Sequence, residues 1–215
     1  MKHETIEAIE KEKLIVILRG IPEGKLLPLA QAMYEVGIRL IEITYDATGS
    51  VTDEQTARNI ALLASHFKGK MHVGAGTVLT EEQVELTKKA GGTFIMSPNT
   101  DANVIRRTND LGLVSVPGAF TPTEAQQAHL LGADFVKLFP MDAMGASYLK
   151  ALRAPLPHIR FLAVGGINED NIAEYGKAGA CGFGIGSGIV SRTALEDENY
   201  AAVKALARRY LLAIN

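Results

Sequence analysis

Cysteine is almost absent from these 215 residues, and Cys181 stands alone. One thiol cannot close an intrachain disulfide and leaves no thiolate cluster for a metal. A dominant charge is missing too. The 22 basic and 24 acidic residues leave a formal net charge of −2, which excludes a broad electrostatic grip on nucleic acid or an anionic membrane surface. No stretch approaches the ~20 apolar residues of a membrane span. Met1 to Lys13 is charged throughout, where a secretory leader needs an apolar core. His3, His66, His72, His129 and His158 show neither HxxxH nor HExxH spacing, so no metal site is expected. No low-complexity linker divides the chain. The expectation is a soluble cytoplasmic protein folded as one domain over residues 1–215, with neither nucleic acid nor membrane as a partner.

What is present is a repeat of short apolar runs, spaced by roughly the length of one strand-plus-helix unit. They are Leu14–Leu18, Leu40–Thr44, Met71–Val73, Thr93–Met96, Leu113–Val116, Asp134–Leu138, Phe161–Val164 and Gly182–Ile185, eight in all. Continuous apolar runs suit strands buried on both faces. Between them lie helical patterns, such as Leu26, Leu29, Ala30 and Met33 on one stripe. Gly37, Gly91, Gly112, Gly132 and Gly179 each precede a run, where glycine suits the left-handed end of a helix. Thr80–Gln83 and Thr121–Glu124 carry the spacing of the capping box, the second with Pro122 at the first helical position. Eight such units predict an α/β fold, a closed (β/α)8 TIM barrel with an extra N-terminal helix over about Thr5–Lys11 and a C-terminal helix from about Asp197. An open doubly wound sheet is the alternative, but Arg19-Gly20-Ile21-Pro22 after the first strand is no dinucleotide fingerprint.

Two charges fall on the wrong face for mere solubility. Alternation sets Ile41 and Ile43 on one face of their strand and Glu42 with Leu40 and Thr44 on the other. Likewise Val136 and Leu138 oppose Lys137, Phe135 and Phe139. The aliphatic faces must meet the helices, so Glu42 and Lys137 point inward, near the strand ends where barrel enzymes place their chemistry. The pair either fills the barrel or reacts. A lysine in a low-dielectric pocket can attack carbonyls as a free amine, and a carboxylate beside it can move protons. Arg19, after the first strand, stands at the same rim, either in a salt bridge or holding a substrate carboxylate or phosphate. Two glycine-rich stretches, Gly165-Gly166-Ile167-Asn168 and Gly184-Ile185-Gly186-Ser187-Gly188, follow the last two strands. There backbone N–H groups and a following helix N-terminus would cradle an anion.

Six blocks in chain order carry a resemblance: Ile41-Glu42-Ile43-Thr44, Gly74-Ala75-Gly76-Thr77-Val78-Leu79, Ser97-Pro98, Val116-Pro117-Gly118, Phe135 to Pro140 and Gly165-Gly166-Ile167. Over nearly its full length the chain resembles the 2-keto-3-deoxy-6-phosphogluconate aldolase / 4-hydroxy-2-oxoglutarate aldolase family. The resemblance implies a class I, metal-free aldolase without a cofactor, assembled as a homotrimer and acting on a small, phosphorylated keto acid. It implies Lys137 as the Schiff-base lysine and Glu42 as the proton-transfer glutamate. It sets Thr77 near the pyruvate carboxylate, Gly165, Gly166, Gly186 and Ser187 at the phosphate, and Arg19 and Pro98 among the substrate-binding residues. At Asp46 the chain departs from an arginine that holds the substrate carboxylate in some members. An acid there would repel that carboxylate. The implied reaction is cleavage of 2-keto-3-deoxy-6-phosphogluconate to pyruvate and glyceraldehyde 3-phosphate. The alternatives are 4-hydroxy-2-oxoglutarate, giving glyoxylate, and, from other classes, a phosphate-binding barrel isomerase or decarboxylase, or a non-catalytic sugar-phosphate binder.

Overall fold

The computed structural model describes residues 2–214. In chain order they form α1 (Lys2–Glu12), β1 (Leu14–Leu18), α2 (Glu23–Glu35), β2 (Leu40–Thr44), α3 (Asp53–His66), β3 (His72–Gly76), α4 (Glu81–Lys89), β4 (Phe94–Met96) and α5 (Ala102–Asp110). Then come β5 (Val114–Val116), β6 (Gly118–Ala119), α6 (Pro122–Leu130), β7 (Val136–Leu138), α7 (Gly145–Arg153), β8 (Phe161–Val164), α8 (Ile172–Ala178), β9 (Gly182–Ile185), α9 (Arg192–Glu196) and α10 (Tyr200–Ile214). No helix among the described residues is long and apolar enough to cross a membrane.

The strands run parallel in the order β5-β4-β3-β2-β1-β9-β8-β7-β6. The two ends of that order are joined by the chain itself. Proline has no N–H for a ladder, and at Pro117 the fifth stave changes partner. Val116 accepts a bond from Ser97 N (3.2 Å) on the β4 side, whereas Pro117 accepts one from Lys137 N (2.8 Å) on the β7 side. The expected eight-stave barrel is therefore present, with one stave in two pieces. Closure leaves no open sheet edge.

The barrel wall separates two apolar layers. Outward side chains such as Val16, Ile41, Ile43, Val136 and Leu138 pack with the helices. Inward ones, Ile15, Leu40, Phe94, Met96, Val114, Val116, Phe135 and Leu162, fill the bore together with Ile9 of α1. Helix α1 is longer than the expected segment, and it plugs the N-terminal end of the barrel. His72 Nδ1 lies 3.0 Å from Thr5 Oγ1 and ties α1 to β3; burial first of all pushes that imidazole's pKa down.

Two strands have glycine where an inward side chain would stand. A Cβ on Gly182 would lie 2.8 Å from Leu162 Cδ2, and one on Gly184 would lie 2.9 Å from Val164 Cγ2. A Cβ on Gly74 would run into the Phe94 ring. The bulky residues of β4 and β8 occupy that room. Gly184-Ile185 lies in β9, which matches the expected run Gly182–Ile185, so the glycine-rich turn begins at Gly186; β3 runs on through Gly76, past the expected end at Val73, because Thr44 and Gly76 pair in register.

The five glycines before strands all have positive φ, between 66° at Gly112 and 105° at Gly37. Thr121 and Glu124 form the full capping box. The Thr80 box is only half made. Thr80 accepts from Gln83 N, but the Gln83 carboxamide oxygen accepts from Leu79 N (2.8 Å) instead of the cap's own N–H.

Ile9 is 0% exposed in the bore, so Ile9→Ala is expected to destabilise the fold by about 2–5 kcal/mol. Denaturant titration would show it as a lower midpoint; an unchanged midpoint would mean that α1 does not plug the barrel.

Candidate active site

The two inward charges come from opposite walls, since β2 and β7 are four staves apart in either direction. Glu42 is 2% exposed and Lys137 7%. Burial pushes the Glu42 pKa up, opposed by the Lys137 charge, the Thr44 hydrogen bond and Arg19. Burial pushes the Lys137 pKa down; the Glu42 charge opposes the shift and Arg19 adds to it. Both directions have one cause, the cost of holding charge away from water.

Each group is held by its own strand. The Thr44 hydroxyl donates to Glu42 Oε1 at 3.1 Å, while Oε2 is buried without a hydrogen-bond partner among the described residues. Gly76, facing Thr44 across the β2–β3 ladder, gives the carboxylate its space, because a Cβ at this position would coincide with Oε1. On the opposite wall the Lys137 amine stands 4.7 Å from the centroid of the Phe139 ring. Backbone spacing alone puts Lys137 beside Gly118 of the split stave.

At the rim, Arg19 Nη2 donates to Thr77 Oγ1 at 3.4 Å. Thr77 holds φ at +53°, a left-handed conformation that a β-branched residue seldom adopts and that clusters at functional sites. Beside Arg19 a cleft of about 430 Å³ lies between the ends of β1 and β2 and the helices α2 and α3, with Arg19, Ile43, Thr44, Tyr45 and Asp46 among its walls. Asp46 does not behave as a free repelling charge. Its carboxylate accepts from Thr48 N (2.9 Å), Thr48 Oγ1 (2.8 Å) and Val51 N (2.9 Å). Donors from its own loop, Thr48 foremost, hold it below the usual carboxylate range.

The glycine turns close the far side of the mouth. Gly165 and Gly166 have φ of +91° and +69°, and a Cβ on Gly166 would run into Asp142. One on Gly165 would lie 3.3 Å from the Phe139 ring, so this turn and the lysine share one aromatic neighbour. Asn171 Nδ2 donates to Gly166 O at 2.9 Å and fixes the turn. Gly186 O accepts from Ile189 N and Val190 N, which leaves Ser187 exposed at the bend. Neither following helix starts at its turn. α8 begins at Ile172 and α9 at Arg192, because side-chain and backbone bonds of Asn168, Asn171 and Gly186 first turn the chain. The expected helix dipole is therefore not at the turn itself. Pro98, after β4, packs its carbonyl against Gly118. Thus Arg19, Glu42 and Lys137 form one electrostatic group with Thr77 bonded to Arg19, and Pro98, Gly165, Gly166, Gly186 and Ser187 lie at the same ends of their strands. Thr44, Gly76 and Phe139 were not singled out as site residues from sequence, although alternation from Glu42 and Lys137 places Thr44 and Phe139 on the inward face; Gly76 follows only from the β2–β3 register. Among the described residues, no group of three or more His, Cys, Asp or Glu side chains converges as metal ligands would.

A family model described as "Aldolase: KDPG and KHG aldolase" matches residues 5–206. The chain belongs to this family. It is a class I aldolase, a carbon–carbon lyase, on a (β/α)8 barrel. Among relatives, a probable 2-dehydro-3-deoxy-6-phosphogalactonate aldolase of Rhizobium meliloti (strain 1021) is 39% identical over 82% of this chain and 81% of its own. A 2-dehydro-3-deoxy-phosphogluconate aldolase of Treponema pallidum (strain Nichols) is 31% identical over 95% of both. The solved KDPG aldolase of Legionella pneumophila, with pyruvate captured at low pH as a covalent carbinolamine, aligns with a TM-score of 0.84 at 26% identity, covering 94% of this chain and 96% of that one.

Gly76→Ala is expected to drive the Glu42 carboxylate from its berth and slow aldol cleavage about 100-fold, the scale of an ångström-sized misplacement. A folded variant with unchanged kcat would show that the berth does not matter.

Proposed function

We propose that this aldolase cleaves 2-keto-3-deoxy-6-phosphogluconate reversibly to pyruvate and glyceraldehyde 3-phosphate through an imine on Lys137. The observation that carries the reading is the pairing, inside one closed bore, of a buried amine with a depressed pKa and a buried carboxyl on the opposite wall. The uncharged Lys137 amine attacks the C2 carbonyl, and the carbinolamine takes a proton from the acid form of Glu42 and loses water to give a cationic imine. That cation draws electrons toward itself and favours the ionised form of Glu42 across the bore. Glu42 takes the C4 hydroxyl proton, directly or through water. The C3–C4 bond breaks, its electron pair enters the enamine, and glyceraldehyde 3-phosphate leaves. Glu42 returns the proton to C3, and water hydrolyses the imine to free pyruvate and the lysine.

The remaining residues divide the substrate between them in this reading. Arg19 and Thr77 hold the carboxylate, with Pro98 on the pocket wall. Gly165, Gly166, Gly186 and Ser187 receive the phosphate through backbone N–H groups that glycine leaves uncovered. With Asp46 bonded into its own loop, its charge gives no ground for preferring 4-hydroxy-2-oxoglutarate. The C4 epimer, 2-keto-3-deoxy-6-phosphogalactonate, is the second reading, favoured by the higher identity of the relative named for it. Both epimers give the same two products. A cytoplasmic homotrimer completes the proposal.

Borohydride with pyruvate is expected to leave a stable adduct on Lys137, located by peptide mass mapping; an adduct on any other residue overturns the mechanism. Lys137→Ala should abolish trapping and cleavage, whereas Glu42→Gln should trap pyruvate yet cleave at least ~100-fold more slowly. The lysine pKa is lowered, so the amine is uncharged over a wider range. Trapping should therefore keep its plateau at pH values well below the ordinary 10.5 of lysine and fall only as pH drops through the depressed value. Ranking kcat/KM for the two C4 epimers and for 4-hydroxy-2-oxoglutarate assigns the substrate; equal values with and without phosphate would remove the glycine turns from the site.

A further inference from the structure

We propose that Thr44 is a positioning residue that divides the labour of the Glu42 carboxylate: its hydroxyl anchors Oε1, and Oε2 is the atom that takes and returns protons. The inference rests on the reading of Glu42 as the proton carrier and deepens it.

Three observations converge on this division. Thr44 lies two residues beyond Glu42 on β2, hence on the same inward face, and donates to Oε1 at 3.1 Å. It is only 7% exposed, so little water competes for that bond. Second, the same oxygen is the one lodged against Gly76, where a Cβ would coincide with it. Oε1 is thus bonded on one side and packed on the other, and the carboxylate cannot rotate freely. Third, Oε2 is buried without a partner among the described residues. A buried acceptor left unpaired is costly and calls for an explanation. A proton that arrives only during the reaction supplies one.

The hydroxyl has a second effect. It donates more strongly to a carboxylate oxygen than to the carbonyl oxygen that remains when Oε2 is protonated, so it favours the ionised form. The charged groups facing Glu42 are Lys137 from β7 and Arg19 from the rim after β1. The neighbouring strand β3 offers Gly74 and Gly76 on that side, with His72 at its far end against Thr5. Thr44 is the uncharged donor that works with these cations against burial.

The test uses exchange of the C3 protons of pyruvate in deuterated water, followed by NMR. This partial reaction needs the imine and the base but no aldehyde. Thr44→Val keeps the shape and removes the donor. It is expected to slow exchange and kcat about 10- to 100-fold with little change in KM, and to move the acid limb of the kcat profile to higher pH. Thr44→Ser should restore both the rate and the limb to within a few-fold of the parent. If Thr44→Val fails to fold, as judged by circular dichroism, Thr44→Ala carries the same expectation. Wild-type exchange and an unmoved limb in the donor-less variant, or a serine variant as impaired as it, would overturn the assignment. Borohydride trapping keeps the two proposals apart. A parent protein that forms no Lys137 adduct refutes the imine mechanism, whereas variants that trap normally and exchange normally refute only the role of Thr44.

Discussion

Two ionisable groups buried from opposite walls of one bore, with no hydrogen bond between them, are the constraint on which the structure turns. Water would solvate each of them better than the barrel does. The cost falls on the charged forms, so burial drives the amine toward its free base and the carboxyl toward its acid. A direct ion pair would undo both shifts and lock the lysine as ammonium. Separation across the bore preserves an amine able to attack and a carboxyl able to exchange protons.

The rest of the fold supplies the conditions for that separation. Closure at Pro117 fixes the distance between the walls, and the carbonyl of that residue accepts the Lys137 backbone N–H. The apolar layers inside and outside the wall exclude water from below, with α1 as the stopper. At the open end Arg19 and Thr77 add polarity, and Arg19 acts on both buried groups. The same placement that makes the site expensive to fold makes it reactive.

Most of this architecture was legible in the sequence because it rests on periodicity. Apolar runs marked the staves, glycines marked the helix ends, and alternation turned Glu42 and Lys137 inward. What escaped was information without a side-chain signal. β3 extends to Gly76, past the run that marks it, yet glycine looks alike in a turn and in a crowded bore. The partner switch at Pro117 follows from closure, which no local pattern encodes. Asp46 read as a charge aimed at substrate, but the donors of Thr48 and Val51, within five residues of it, bind that carboxylate into its own loop. The bond from Thr44 to Glu42 needed the rotamers of both.

The bare inward positions of β3 and β9 have a practical consequence for anyone wishing to reshape the enzyme. Those two staves have no volume left to give, because their neighbours' side chains already fill it. Room for a bulkier aldehyde has to be carved from residues that can shrink, such as Ile17 and Val164 beside Gly184, or Phe139 beside Gly165. Directed libraries that randomise every mouth position alike would waste much of their diversity on the glycine walls.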